Sequence, residues 1–151
     1  MKIKNLINNI FIFSLLIFFI TSSNAGEIFV SLKKNKVNVR YGPSFESDIK
    51  YVYKKINFPL KQIDKKENFR RIIDIKNNSG WIHLSQLRDS KSLITTSQKI
   101  LFKKATKFSK PLVKIDKGRL LVLKKCKPKW CQVKTGDYTG WVDKTNLWGF
   151  N

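Results

Sequence analysis

The chain repeats itself. Phe69-Arg70-Arg71-Ile72 falls over Trp130-Cys131-Gln132-Val133, Gly80-Trp81-Ile82 over Gly140-Trp141-Val142, and Leu84-Ser85-Gln86-Leu87 beside Lys144-Thr145-Asn146-Leu147, at an offset that stays at 60 to 61 residues. Upstream, Lys54-Lys55-Ile56 overlays Asp116-Lys117-Gly118, and an apolar strand-like run follows each. Two copies of one small unit therefore have to account for the fold. A unit of about 60 residues buries only about 60% of its extended-chain surface and is marginal alone, so extra staples or packing between the units are expected. A total of 151 residues also excludes a large multi-domain enzyme.

Within each copy the apolar residues alternate over short runs that end in turn residues. Strands are expected at 28–32, 37–40, 49–53, 58–64, 69–75 and 81–83, then at 100–102, 112–115, 119–125, 130–134 and 140–142. Gly42-Pro43, Asn77-Asn78-Ser79-Gly80, Asp116-Lys117-Gly118 and Gly136-Asp137 supply the breaks. No window after residue 26 carries a helical period. The expected fold is all-β, with units at 26–88 and 98–151 joined by residues 89–97, a polar Ser/Thr-rich stretch of linker composition.

The N-terminus sets the expected compartment. Lys2 and Lys4 precede the apolar run Ile10 to Ile20, and Ser23-Asn24-Ala25 places small residues at the −3 and −1 positions of a cleavage site, so residues 1–25 read as a cleaved signal peptide. As a helix that run would rise only about 17 Å against about 30 Å of hydrocarbon, which argues against a spanning anchor. The only cysteines are Cys126 and Cys131, so the lipoprotein route is closed. The mature chain is expected to be secreted and periplasmic, with no transmembrane span after cleavage.

In an oxidising space those two cysteines acquire a role. Four residues separate them, between the apolar run at 120–123 and the strand-like Gln132-Val133, so they face each other across a hairpin at a separation that suits a disulfide. A redox pair needs two intervening residues, and a zinc site needs four ligands where only two Cys and His83 exist.

Charge is the most skewed feature of the composition. Lys plus Arg number 31 against 10 acids, a formal +21 that falls to +19 once Lys2 and Lys4 leave with the leader. Lys outnumbers Arg by 26 to 5, and Ala occurs only at Ala25 and Ala105, a pattern that AT-biased codon usage also produces. Attraction to an anionic partner stands beside that reading. A phosphate reader often favours Arg for its planar fork, and a secreted chain rarely meets chromosomal DNA, so nucleic acid and lipid are the weaker partners.

Val37-Asn38-Val39-Arg40-Tyr41-Gly42-Pro43 followed by Gly80-Trp81-Ile82 resembles the bacterial SH3 family, in which an N-V-R-x-G-P segment opens the long first loop and a G-W-V segment closes the small barrel. The second copy lacks the opening motif but keeps Gly140-Trp141-Val142 and ends Leu147-Trp148-Gly149-Phe150. It resembles secreted SH3-like proteins of Gram-negative bacteria, in which a hairpin cysteine pair and a terminal W-G recur. The resemblance implies two SH3-like β-barrels in tandem, acting as a binding module without enzyme chemistry, cofactor or metal.

It further implies cell-wall peptidoglycan as a partner, with an envelope protein as the alternative and anionic wall polymers also possible. Aromatic faces beside cations suit ligands that combine apolar bodies with carboxylates, as peptidoglycan stem peptides and many unstructured protein segments do. Tyr41, Tyr53, Phe69, Trp130, Tyr138 and Trp148 are the candidate contacts, and the resemblance makes the Tyr41 loop ligand-facing. Trp81 and Trp141, directly after the closing glycines, read as core residues. Trp130 and Trp148 have a second reading as plugs between the barrels, and His83 reads as a surface strand residue.

Overall fold

A computed structural model describes residues 26–149. The expected signal peptide, residues 1–25, lies outside the described residues. The first barrel runs β1 (Ile28–Leu32), β2 (Val37–Arg40), β3 (Ile49–Tyr53), β4 (Pro59–Lys66), β5 (Phe69–Ile73), β6 (Ser79–His83), a 3-10 turn at Leu84–Gln86, and β7 (Leu87–Asp89). These strands form one antiparallel sheet in the order β3-β2-β6-β5-β4-β1-β7. Val30, Leu32, Val37, Val39, Leu60, Ile72, Ile82 and Leu87 make its core. Because six strands of one sheet supply one shared core, the sheet has to curl on itself.

The second barrel repeats this plan with β8 (Ser92–Thr95), β9 (Lys99–Phe102), β10 (Pro111–Ile115), β11 (Leu120–Cys126), β12 (Trp130–Thr135), β13 (Tyr138–Asp143) and β14 (Leu147–Trp148). Its order, β10-β9-β13-β12-β11-β8-β14, is that of the first barrel with every strand advanced by seven. Leu93, Leu101, Ile115, Leu121, Cys131, Val133 and Val142 fill its core. The two-barrel, all-β reading of the sequence holds, and Cys126 pairs with Cys131 across the β11–β12 ladder as a disulfide.

The linker reading of residues 89–97 needs correction. Only Ser90 and Lys91 separate β7 from β8, and β8 is buried at all four residues. Its polar composition misleads because the Ser92 and Thr95 hydroxyls are both bonded inside the fold. Thr95 Oγ1 donates to the Asp116 carbonyl at 2.8 Å and accepts from the Arg119 amide at 2.9 Å, tying down the turn before β11. Strand β5 also stops two residues earlier than expected. Asp74 Oδ1 accepts the amides of Lys76 and Asn78 at 2.8 and 2.9 Å, making a turn in which Asn77 takes a left-handed backbone.

Strands β1 and β8 hold equivalent places in the two barrels, and their outer faces meet. Val30 and Leu32 point into the first core, so Phe29 and Ser31 point out, yet both are buried. Ser92 and Ile94 do the same on β8. The Ser31 and Ser92 hydroxyls share a hydrogen bond at 2.9 Å, Ser92 Oγ also donates to the Asn57 carbonyl, and the Trp148 ring meets Phe29 edge-on at 4.9 Å.

Candidate functional site

The first barrel carries an open aromatic and cationic face. In β6 Gly80 and Ile82 are buried, and strand alternation therefore turns Trp81 outward. A Cβ on Gly80 would lie 2.3 Å from Val39 Cγ1 and 3.0 Å from the Arg40 carbonyl oxygen, so only glycine lets β2 and β6 approach this closely. That approach sets Trp81 opposite Arg40 on one neighbouring strand and Arg71 on the other. The core reading of Trp81 is thus corrected: the ring is half-buried and lines a surface cavity of about 300 Å³ with Arg40, Tyr41, Lys50 and Arg71.

Hydrogen bonds fix this lining. Arg40 Nη1 donates to the Ser47 carbonyl at 2.6 Å, tying the β2–β3 loop to the strand, and Arg40 Cζ lies 5.7 Å from the centre of the Phe45 ring. Lys50 Nζ donates to the Ser79 carbonyl at 2.9 Å and sits 5.5 Å from the Tyr41 ring centre. Tyr41 itself is 68% exposed. The lining holds three cations and no acid. Such a site can grip a carboxylate by charge-assisted hydrogen bonds while Tyr41 and Trp81 cover the apolar part of the same ligand.

The six residues expected to contact a ligand do not share one groove. Phe69 is only 5% exposed, packed beneath Phe45 and His83 with ring centres 5.2 and 5.1 Å away, and it offers no surface. Trp130 rests edge-on against Phe102 at 5.8 Å. Trp148 lies between the barrels, as its plug reading has it, whereas Trp130 does not. Tyr138 is exposed beside a second cavity that Lys55, Lys114, Lys117 and Arg119 also line.

Tyr53 faces a cleft of about 650 Å³ between the barrels, with Phe58, Asp74 and Ile94. Its hydroxyl donates to Asp74 Oδ2 at 3.1 Å, and burial, with the Tyr51 hydroxyl and the Asp74 charge, pushes its pKa far above the ordinary tyrosine value. Tyr53 therefore stays a neutral donor. Burial raises Tyr51 as well.

The second barrel closes the equivalent face. Trp141 is buried beneath Lys125 and Lys127, whose ammonium groups sit 5.9 and 5.2 Å from its ring, and it lies outside the core cluster. Lys99, with a side chain 4% exposed, bonds to Asp143 Oδ1 at 2.8 Å. Burial alone would raise the Asp143 carboxyl, but the Lys99 ammonium and the Thr145 hydroxyl and amide outweigh it and hold the carboxyl below its usual value. Among the described residues no three His, Cys, Asp or Glu side chains gather where they could hold a metal.

Sequence reasoning missed Arg40, Lys50, Arg71 and the outward Trp81. The signal was available in the alternation of β6 once Gly80 and Ile82 are both placed inside.

The family pattern described as bacterial SH3 domain matches residues 33–89 and again residues 98–149. No curated protein matches the sequence. Among solved structures, the chain is similar to one described as NlpC2 from Trichomonas vaginalis, at 10% identity and a TM-score of 0.39, with 83% of this chain and 49% of that one covered. It is also similar to NlpC1 from Trichomonas vaginalis, at 10% identity and a TM-score of 0.38, with 85% and 48% covered. The chain spans about half the length of each.

Proposed function

This chain belongs to the bacterial SH3 domain family, and from that premise we propose that it is a non-catalytic binding module of the bacterial cell envelope. It takes carboxylate-bearing peptidoglycan stem peptides on the Tyr41–Trp81 face of its first barrel. The observation that carries this reading is the acid-free lining, in which Arg40, Lys50 and Arg71 surround two aromatic rings. Stem peptides offer the matching chemistry, short apolar side chains between free carboxylates. The leader-like residues 1–25 support delivery to the periplasm.

Two features favour a binder over an enzyme. Both cysteines are joined to each other, and His83 Nδ1 is engaged with the Ser85 hydroxyl at 2.8 Å while its ring stacks on Phe45. Co-sedimentation with purified sacculi across a salt series tests the proposal. The protein should pellet at moderate salt, and the pelleted fraction should fall when an amidase removes the stem peptides. Pelleting that ignores the amidase, or none even at low salt, contradicts it.

A second reading rests on the cleft between the barrels, whose apolar floor of Tyr53, Phe58 and Ile94 suits an extended segment of an envelope protein. In that case cross-linking in intact cells captures a protein partner, and substitution of Tyr41 leaves the capture unchanged.

A further inference from the structure

From the β9–β10 loop of the second barrel we infer a membrane contact: Phe108 and its ring of lysines dock the protein on an anionic lipid surface. Phe108 is 100% exposed, which is an unusual state for a large apolar ring. Its loop is closed and internally bonded. The Lys103 amide donates to the Lys110 carbonyl at 3.0 Å, the Lys104 amide to Ser109 Oγ at 2.9 Å, and the Phe108 amide to Thr106 Oγ1 at 3.3 Å. The ring is thereby presented at the tip of a folded loop.

The first barrel provides the contrast. Phe45 occupies the corresponding β2–β3 loop, but its ring packs on Phe69 and His83 at 5.2 and 4.8 Å. In the second barrel Trp130 stands where Phe69 does, and it packs on Phe102.

Charge selects the partner. Lys103, Lys104, Lys107 and Lys110 are all exposed around Phe108, and no acid occurs between Lys99 and Asp116. Four cations alone would suit any polyanion. A bare ring at their centre requires an apolar phase beside the negative charge, and a bilayer with anionic headgroups provides both within a few ångströms. Phe108 enters the acyl boundary while the lysines remain at the phosphates, their stems lying along the interface.

The test uses vesicle co-sedimentation of the chain from Gly26, which holds every described strand and omits the apolar run that would itself partition into lipid. Phosphatidylglycerol vesicles should bind it at low salt and pure phosphatidylcholine vesicles should not. Phe108→Ala should weaken partition about five- to tenfold, and Phe108→Trp should restore it. Replacing the four lysines with glutamine should weaken vesicle binding at least as strongly as Phe108→Ala does. Polyphosphate separates the sources of negative charge: retention of the lysine variant on it should fall to lower salt, and Phe108→Ala should keep wild-type retention. Unchanged vesicle partition in Phe108→Ala, or no binding to phosphatidylglycerol, overturns the inference. So does an equal loss of polyphosphate retention in Phe108→Ala, since the ring would then serve polyanions in general.

Discussion

Lys99 and Asp143 show how one buried charge sets the behaviour of a barrel. The Lys99 ammonium is out of water and the half-buried Asp143 is its carboxylate partner, so removing the acid leaves the cation with only the Thr145 hydroxyl, a loss of up to about 3 kcal/mol. Asp143→Asn should therefore lower the denaturation midpoint well below that of Lys99→Met, which removes the charge and keeps the volume. The pair also has a pH signature. The Asp143 carboxyl is held below its ordinary value of 3.8 in the folded state, so its stabilising contribution is complete above about pH 4 and is lost as pH falls through the lower folded value. Unfolding titrations from pH 6 to pH 2 should show wild-type losing its advantage over Asp143→Asn below about pH 4. Parallel curves would contradict the assignment. None of this was legible in the sequence, where Lys99 is one of 26 lysines and only the folded position of β9 makes it exceptional. Trp81 differs for another reason: a large ring after a glycine reads as core, but the buried residues on either side of it force it outward.

At the scale of elements, the Gly-Trp strands and the cysteine hairpin carry the fold. A Cβ on Gly140 would meet the Phe102 carbonyl oxygen at 2.7 Å and Leu101 Cγ at 2.8 Å, so Gly140→Ala has to push β9 away from β13. We expect a loss of about 2 kcal/mol or more in denaturant unfolding, well beyond the effect of alanine at an exposed strand position. The disulfide closes a short hairpin, and in the chain-entropy model reduction should cost only about 2 kcal/mol. Reduced protein should keep its β-sheet spectrum and melt lower. Collapse of the fold on reduction would mean that the second barrel depends on the staple more than its core suggests. Strands with strong alternation, such as β2 and β5, and the breaks at Gly42-Pro43 and Gly136-Asp137 were readable from the sequence. Strands β7, β8 and β14 were not, because all three are short and the hydroxyls of β8 gain partners only when the chain closes around them.

Across the whole molecule, the equivalent strands β1 and β8 join the barrels through their outer faces. Phe29, Ser31, Ser92, Ile94 and Trp148 are the residues that meet there. Ile94→Asp places a carboxylate in that contact and should convert a single cooperative melt into two transitions, with a larger radius of gyration by X-ray scattering. A single transition in the variant would show that the contact does not couple the barrels. The repeat and its copy number were legible in the sequence, but how the copies meet was not, since a residue on the outer face of a strand looks exposed until its partner barrel is placed. The functional claim separates the barrels again, because Trp81 is open among cations and Trp141 is covered by lysines. The four tryptophans give four indole N–H resonances, one in the proposed site and three elsewhere. Titration of the labelled chain from Gly26 with a soluble muropeptide, followed by ¹H–¹⁵N correlation spectra, tests the claim most directly. We predict saturable shifts of the Trp81 indole and the Tyr41 amide, with Trp130, Trp141 and Trp148 unmoved. Shifts confined to those three, or no shift at millimolar ligand, would contradict it.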